Sequence, residues 1–131
     1  GELYPFGFGL SYTTFAYSDL EVSPLRQRTQ GEYTVKVNVT NTGKRTGDEV
    51  VQLYVRDKVS SVITYDSQLR GFERISLKPG ETRQVTFSLK PEDLQILDRN
   101  MNWTVEPGEF EVMIGASSQD IRLKKTITAL P

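Results

Sequence analysis

The residues best equipped for chemistry are two pairs of adjacent carboxylates, Asp48 with Glu49 and Glu92 with Asp93. Acid–base or nucleophilic catalysis requires such groups to converge on one reacting atom. Neighbours on a strand point to opposite faces, and in a turn both are usually solvated, so neither pair makes a site by itself. The 131 residues include no His and no Cys. The commonest general base and metal ligand are therefore missing, as are disulfides and thiolate zinc sites. Acidic residues are scattered without the spacing of a calcium loop. The expectation is a chain with no catalytic, cofactor-binding or metal-binding residues. Three aromatics, Trp103, Tyr54 and Tyr65, could offer flat apolar faces with polar edges. A single Trp is more often buried, so Trp103 is expected in the core or under a neighbouring segment. Tyr65 is the best candidate for exposure. Asn38 and Asn102 lie in N-x-T tripeptides, a pattern frequent by chance.

These side chains must be positioned by strands. Glu32 to Asn41 alternates, with Tyr33, Val35, Val37 and Val39 in one phase and polar residues in the other. Gly47 to Asp57 carries Val51, Leu53 and Val55 in one phase and also Val50 and Tyr54 in the other, which predicts a better covered, more central strand. Gly43 and Gly47 supply turn chemistry between the two, so the expectation is an antiparallel hairpin forming the spine of the domain. A first strand from Phe15 to Val22 changes phase near Ser18 and Asp19, as a bulge would require. Pro24 to Gly31 reads as a loop.

After the spine, Lys58 to Gln68 reads as the longest loop, and Leu69 to Leu77 as a strand. A turn at Lys78 to Glu81 leads to a strand bearing Val85, Phe87 and Leu89. Pro91 opens a single helical turn, because Pro suits a first helical position. Asn100 and Asn102 mark a turn before a short strand with Trp103 and Val105. Phe110, Val112 and Ile114 alternate in a further strand. Ile121 to Ala129 forms the last one, where Lys124 and Lys125 suit an edge. Some seven short strands with regular turn signals predict an all-β, two-sheet sandwich.

Composition narrows the function classes. Hydrophobic residues make up 37% and charged residues 25% of the chain, ordinary globular values that disfavour disorder. No apolar run approaches membrane-spanning length. A formal net charge of −1 with interleaved signs leaves no electrostatic footprint for nucleic acid or anionic lipid. The opening GELYPFGFGLSYTTF concentrates Tyr4, Phe6, Phe8, Tyr12 and Phe15 among Pro and Gly, so it is neither helix nor regular strand. A segment this apolar either docks on a neighbouring surface or folds back over its own domain. The first residue is Gly1 and no signal peptide is present, so the chain reads as a piece of something larger.

Four phrases carry a resemblance when taken together: YPFGFGLSYTTF at 4–15, VTNTGKRTGDEVVQLYV at 39–55, LRGFERISLKPGE at 69–81 and WTVEPGEFEVMIGASSQDIRL at 103–123. In this order they resemble the fibronectin type III-like domain found at the C-terminal end of family 3 glycoside hydrolases, the β-glucosidases and β-xylosidases. The resemblance implies an immunoglobulin-like antiparallel sandwich at 15–131 and a connector at 1–14. It also implies an accessory module without catalytic residues, because the nucleophile and acid/base of such enzymes lie in preceding domains. Retaining glycoside hydrolysis needs two carboxylates about 5 Å apart in a pocket, which neither adjacent pair supplies. The implied partners are the catalytic domains of the same chain, contacted through Tyr4, Phe6, Phe8 and Tyr12. Polysaccharide or oligosaccharide stacking on Tyr65 or Trp103 is one alternative, and a protein–protein interaction sandwich is the other. The Lys58 to Gln68 loop is expected to reach toward a substrate entrance. The implied compartment is periplasmic or secreted.

Overall fold

The computed structural model describes residues 13–58 and 67–131. Among these, ten strands run in chain order: β1 (Phe15–Ser23), β2 (Arg26–Arg28), β3 (Tyr33–Asn41), β4 (Gly47–Asp57), β5 (Gln68–Leu77), β6 (Thr82–Leu89), β7 (Ile96–Leu97), β8 (Trp103–Thr104), β9 (Gly108–Ser117) and β10 (Asp120–Leu130). A 3₁₀ turn spans Pro91–Leu94 between β6 and β7. Two sheets form the body, one in the order β1-β3-β6 and the other β2-β10-β9-β4-β5, while β7 and β8 pair as a small ribbon.

Period-2 alternation explains the layering. Val35, Val37 and Val39 of β3 and Val85 and Leu89 of β6 face Val51, Leu53 and Val55 of β4 and Phe110, Val112 and Ile114 of β9, all of them buried in one core. Burial of this apolar face is the main favourable term in folding. Tyr33 spans the layers, its hydroxyl donating to the Thr128 carbonyl at 3.0 Å. The phase change in β1 is present as a register shift between Ser18 and Glu21. Asp19 takes up a left-handed φ of 55° there, a conformation an Asp tolerates better than most side chains.

The expected spine hairpin is absent. β3 pairs with β1 and β6, whereas β4 pairs with β5 and β9, so residues 42–46 cross from one sheet to the other. The cause is Asn41, buried at the end of β3. Its side-chain oxygen accepts from Gly43 N and from Thr13 Oγ1, both at 2.9 Å. Its amide donates to the Arg45 and Leu77 carbonyls at 2.8 and 2.9 Å. These bonds bend the chain over the end of the sandwich instead of closing a ladder. Both spine strands are consequently central in their sheets, not only the second.

A second crossing lies at Lys78–Glu81, where Gly80 has φ 79° and Glu81 N donates to the Lys78 carbonyl at 2.9 Å. That positive φ is the reason for glycine. The Pro24 to Gly31 stretch is not wholly loop: Arg26–Arg28 pairs in parallel with Thr128–Leu130. Elsewhere β10 has β9 as its one strand partner, so Lys124 and Lys125 do lie along an edge.

Candidate functional site

At the end of the sandwich where β4 finishes, a cleft of about 650 Å³ opens between the larger sheet, the 3₁₀ turn and the β7–β8 ribbon. Its floor is Val55 and Phe110, and its walls include Arg70, Glu92, Gln95, Leu97 and Trp103. The 3₁₀ turn forms one wall for local reasons. Pro91 starts it, Lys90 N donates to Asp93 Oδ2 at 2.8 Å, and Asp93 N donates to the Lys90 carbonyl at 2.9 Å. Leu94 then plugs into the core. Arg70 Nε donates to the Asp93 carbonyl at 2.9 Å, tying β5 to this wall.

The β7–β8 ribbon sets the position of Trp103. Asp98 Oδ1 accepts from Asn100 N at 2.8 Å and Asn102 N at 2.9 Å, and Met101 adopts φ 64°. Trp103 pairs with Leu97 and is 66% exposed. The core position expected of a lone Trp is therefore wrong here, because a two-residue strand at the cleft rim has no opposing layer to bury it. Tyr54, the second flat aromatic, is 8% exposed and thus offers no platform. Tyr65, Tyr4, Phe6, Phe8, Tyr12 and most of the Lys58 to Gln68 loop lie outside the described residues.

The Asp48–Glu49 pair diverges as strand geometry demands, whereas Glu92 and Asp93 sit in the 3₁₀ turn and both line the cleft. Asp48 turns outward to Arg74, with 2.8 Å between Oδ2 and the guanidinium. Glu49 turns inward and accepts from the Tyr17 hydroxyl at 3.1 Å. Arg122 packs over the Tyr17 ring at 5.2 Å from its centroid, donates to the Phe15 carbonyl at 3.0 Å, and forks onto Asp120 at 2.6 and 3.0 Å. This cluster joins β1, β4 and β10 at the edge of the core. Burial pushes the Glu49 carboxyl above its ordinary range, and burial together with the Glu49 charge pushes the Tyr17 hydroxyl up. Asp120 is held down by its hydrogen bond from Arg122. Each acid in the cluster has a protein partner, and the arrangement closes the sandwich edge with satisfied polar groups.

Tyr17, Glu49 and Arg122 are separated by tens of positions in the chain, so no local spacing signals their meeting. Asn41 had a local signal, the Asn-Thr-Gly that follows an alternating strand, and two of its four side-chain bonds are local, to Gly43 and Arg45, but the other two depend on Leu77 of β5 and on Thr13. Among the described residues no three acids gather as metal ligands would. Among the described residues no helix is long and apolar enough to cross a membrane.

The family model for the fibronectin type III-like domain matches residues 49–118. A β-xylosidase of Formosa agariphila is 53% identical over 122 residues, covering 93% of this chain and 17% of that protein. A solved β-glucosidase of Erythrobacter marinus superimposes with a TM-score of 0.89 at 42% identity, over 97% of this chain and 17% of its own. A solved GH3 β-glucosidase of Bifidobacterium adolescentis gives 0.85 at 36% identity, over 96% of this chain and 18% of its own. The chain thus spans about a sixth of these relatives, and both the family match and the two-sheet core lead to one assignment: it belongs to the fibronectin type III-like domain family.

Proposed function

We propose that the chain is the C-terminal accessory domain of a longer family 3 glycoside hydrolase, and that it stabilises and positions the catalytic domains of that protein. The observation that carries this reading is near-complete coverage of the chain at a TM-score of 0.89 against a small fraction of a β-glucosidase. The body at 15–131 is the module and 1–14 the connector, with Tyr4, Phe6, Phe8 and Tyr12 as contacts toward the catalytic body. Truncating buried aromatics costs about 3–5 kcal/mol each. Changing Phe6 and Phe8 to Ala in the full-length glycosidase should therefore lower its melting transition by several degrees; an unchanged transition refutes the contact. The Lys58 to Gln68 loop is proposed to tune substrate access, which its deletion and kinetics on long and short substrates would test. Periplasmic or secreted placement goes with this reading.

One observation favours a second reading. Trp103 is 66% exposed at the rim of a cleft that also holds Arg70, Glu92 and Gln95. A flat ring beside hydrogen-bonding groups suits a β-linked polysaccharide. Affinity electrophoresis in gels containing soluble β-glucan or xylan separates the two: retardation abolished by Trp103→Ala supports glycan contact, and normal migration supports scaffolding alone.

A further inference from the structure

β1 is an edge strand of the smaller sheet. Its one ladder, to β3, slips between Ser18 and Glu21, so the first half of the strand depends on what holds Phe15 and Tyr17 against the opposite sheet. Two hydrogen bonds do this among the described residues. The Tyr17 hydroxyl donates to Glu49 Oε2 at 3.1 Å, and Arg122 Nη1 donates to the Phe15 carbonyl at 3.0 Å. Arg122 also lies over the Tyr17 ring.

Glu49 is the unusual member of this seam. It shares the inward phase of β4 with Val51, Leu53 and Val55 and is 7% exposed. A carboxylate at that depth is tolerated when a cation pairs with it. Among the described residues no ion pair includes Glu49: Asp48 turns outward to Arg74, and Arg122 is engaged by Asp120 through a fork at 2.6 and 3.0 Å. The remaining neighbours carry no charge. Ile75 stands opposite on β5, and the ladder to β9 begins only at Gln52. An inward acid whose side-chain partner is a neutral hydroxyl is better accommodated with its proton on.

We propose that Glu49 is a proton-operated catch for β1: protonated, it holds Tyr17 and closes the seam between the sheets; ionised, it lets the first half of β1 open toward water. The ionised group must be served either by water entering beside Tyr17 or by Arg122 leaving Asp120 and the Phe15 carbonyl. Either event loosens β1. The sign follows from burial, which raises the folded Glu49 carboxyl, so closure is full below the ordinary carboxylate range and is lost as pH rises through the folded value. Glu49 is alone in the cluster in changing charge over that window. The hydrogen bond from Arg122 holds Asp120 below its usual range, burial pushes the Tyr17 hydroxyl above its own, and the bond to Asp120 keeps Arg122 charged. The device rests on β1, β4 and β10 and holds whether or not the scaffolding role does.

Amide hydrogen exchange of the intact chain reads the catch strand by strand. Protection, corrected for the intrinsic pH dependence of exchange, is followed from about pH 4 to about pH 8, bracketing the upper side of the ordinary Glu value. β6, the other edge of the same sheet, is the control. β1 protection is expected to fall at least about threefold as pH rises, with β6 unchanged. Glu49→Gln removes the titrating group and should leave β1 equally protected throughout. Tyr17→Phe keeps the ring under Arg122 but deletes a donor that supports the ionised carboxylate, so the fall should grow and move to higher pH. A merely structural hydroxyl would lower protection alike at every pH. Circular dichroism confirms folding, and should Glu49→Gln fail to fold, Tyr17→Phe carries the test. Constant β1 protection in the parent overturns the proposal, as does a fall in Glu49→Gln that matches the parent. A fall of β6 in step with β1 also overturns it, since the whole domain would then be opening.

Discussion

Removing the Asn41 side chain tests the account of the chain crossing most directly. In Asn41→Ala the bond to the Leu77 carbonyl is lost in a fully buried setting, and those involving Arg45, Gly43 and Thr13 are lost where water has partial access. An orphaned buried acceptor costs about 1–3 kcal/mol, and each rehydrated partner about 0.5–1. The sum is about 3 kcal/mol, a large share of the stability of a domain this size. Urea unfolding reads it: with a slope near 2 kcal/mol per molar, the midpoint should fall by ~1.5 M at unchanged slope. The control is Asn38→Ala, which removes one exposed bond to Asp19 and should shift stability by less than about 0.5 kcal/mol. A loss under about 1 kcal/mol for Asn41→Ala would mean that the arch is held by backbone and packing, and the reasoning would fail.

Further expectations concern pH, packing and the rim. The folded-state pKa of Glu49 is raised, so its contribution to stability is full below the ordinary carboxylate range and is lost as pH rises through the folded value. Glu49→Gln should be at least as stable as the parent at neutral pH, with the difference shrinking as pH falls into the acid range; thermal melts across that range decide it. Asp120 has the opposite sign, its folded value being lowered, so its contribution fades as pH falls. Gly115→Ala places a Cβ 2.2 Å from the Asp120 carbonyl oxygen and should destabilise by about 1–3 kcal/mol in urea unfolding. Tyr33→Phe removes the cross-layer bond to Thr128 and should cost about 1 kcal/mol by the same assay. Trp103→Ala, at an exposed position, should leave stability within about 0.5 kcal/mol, so any loss of glycan retardation in that variant reports contact, not unfolding.

Alternation of apolar residues in Tyr33–Asn41 and Phe110–Ile114, Pro91 at the start of a turn and Gly80 at a positive φ are local signals, and the strands, the turns and the all-β sandwich were legible from them. A missing imidazole and thiol are equally plain in a string of letters. Which strand pairs with which was not legible, because a hairpin and a crossing between sheets demand the same period of two. Contacts between residues far apart in the chain, the pairing of β3 with β1 and β6 and of β4 with β5 and β9, with Asn41 bonded to Leu77, separated them. Tertiary structure likewise brought Tyr17, Glu49 and Arg122 together, buried both faces of β4 and left Trp103 in solvent. Burial depends on what lies opposite a residue, and a chain specifies that only once its distant segments have met.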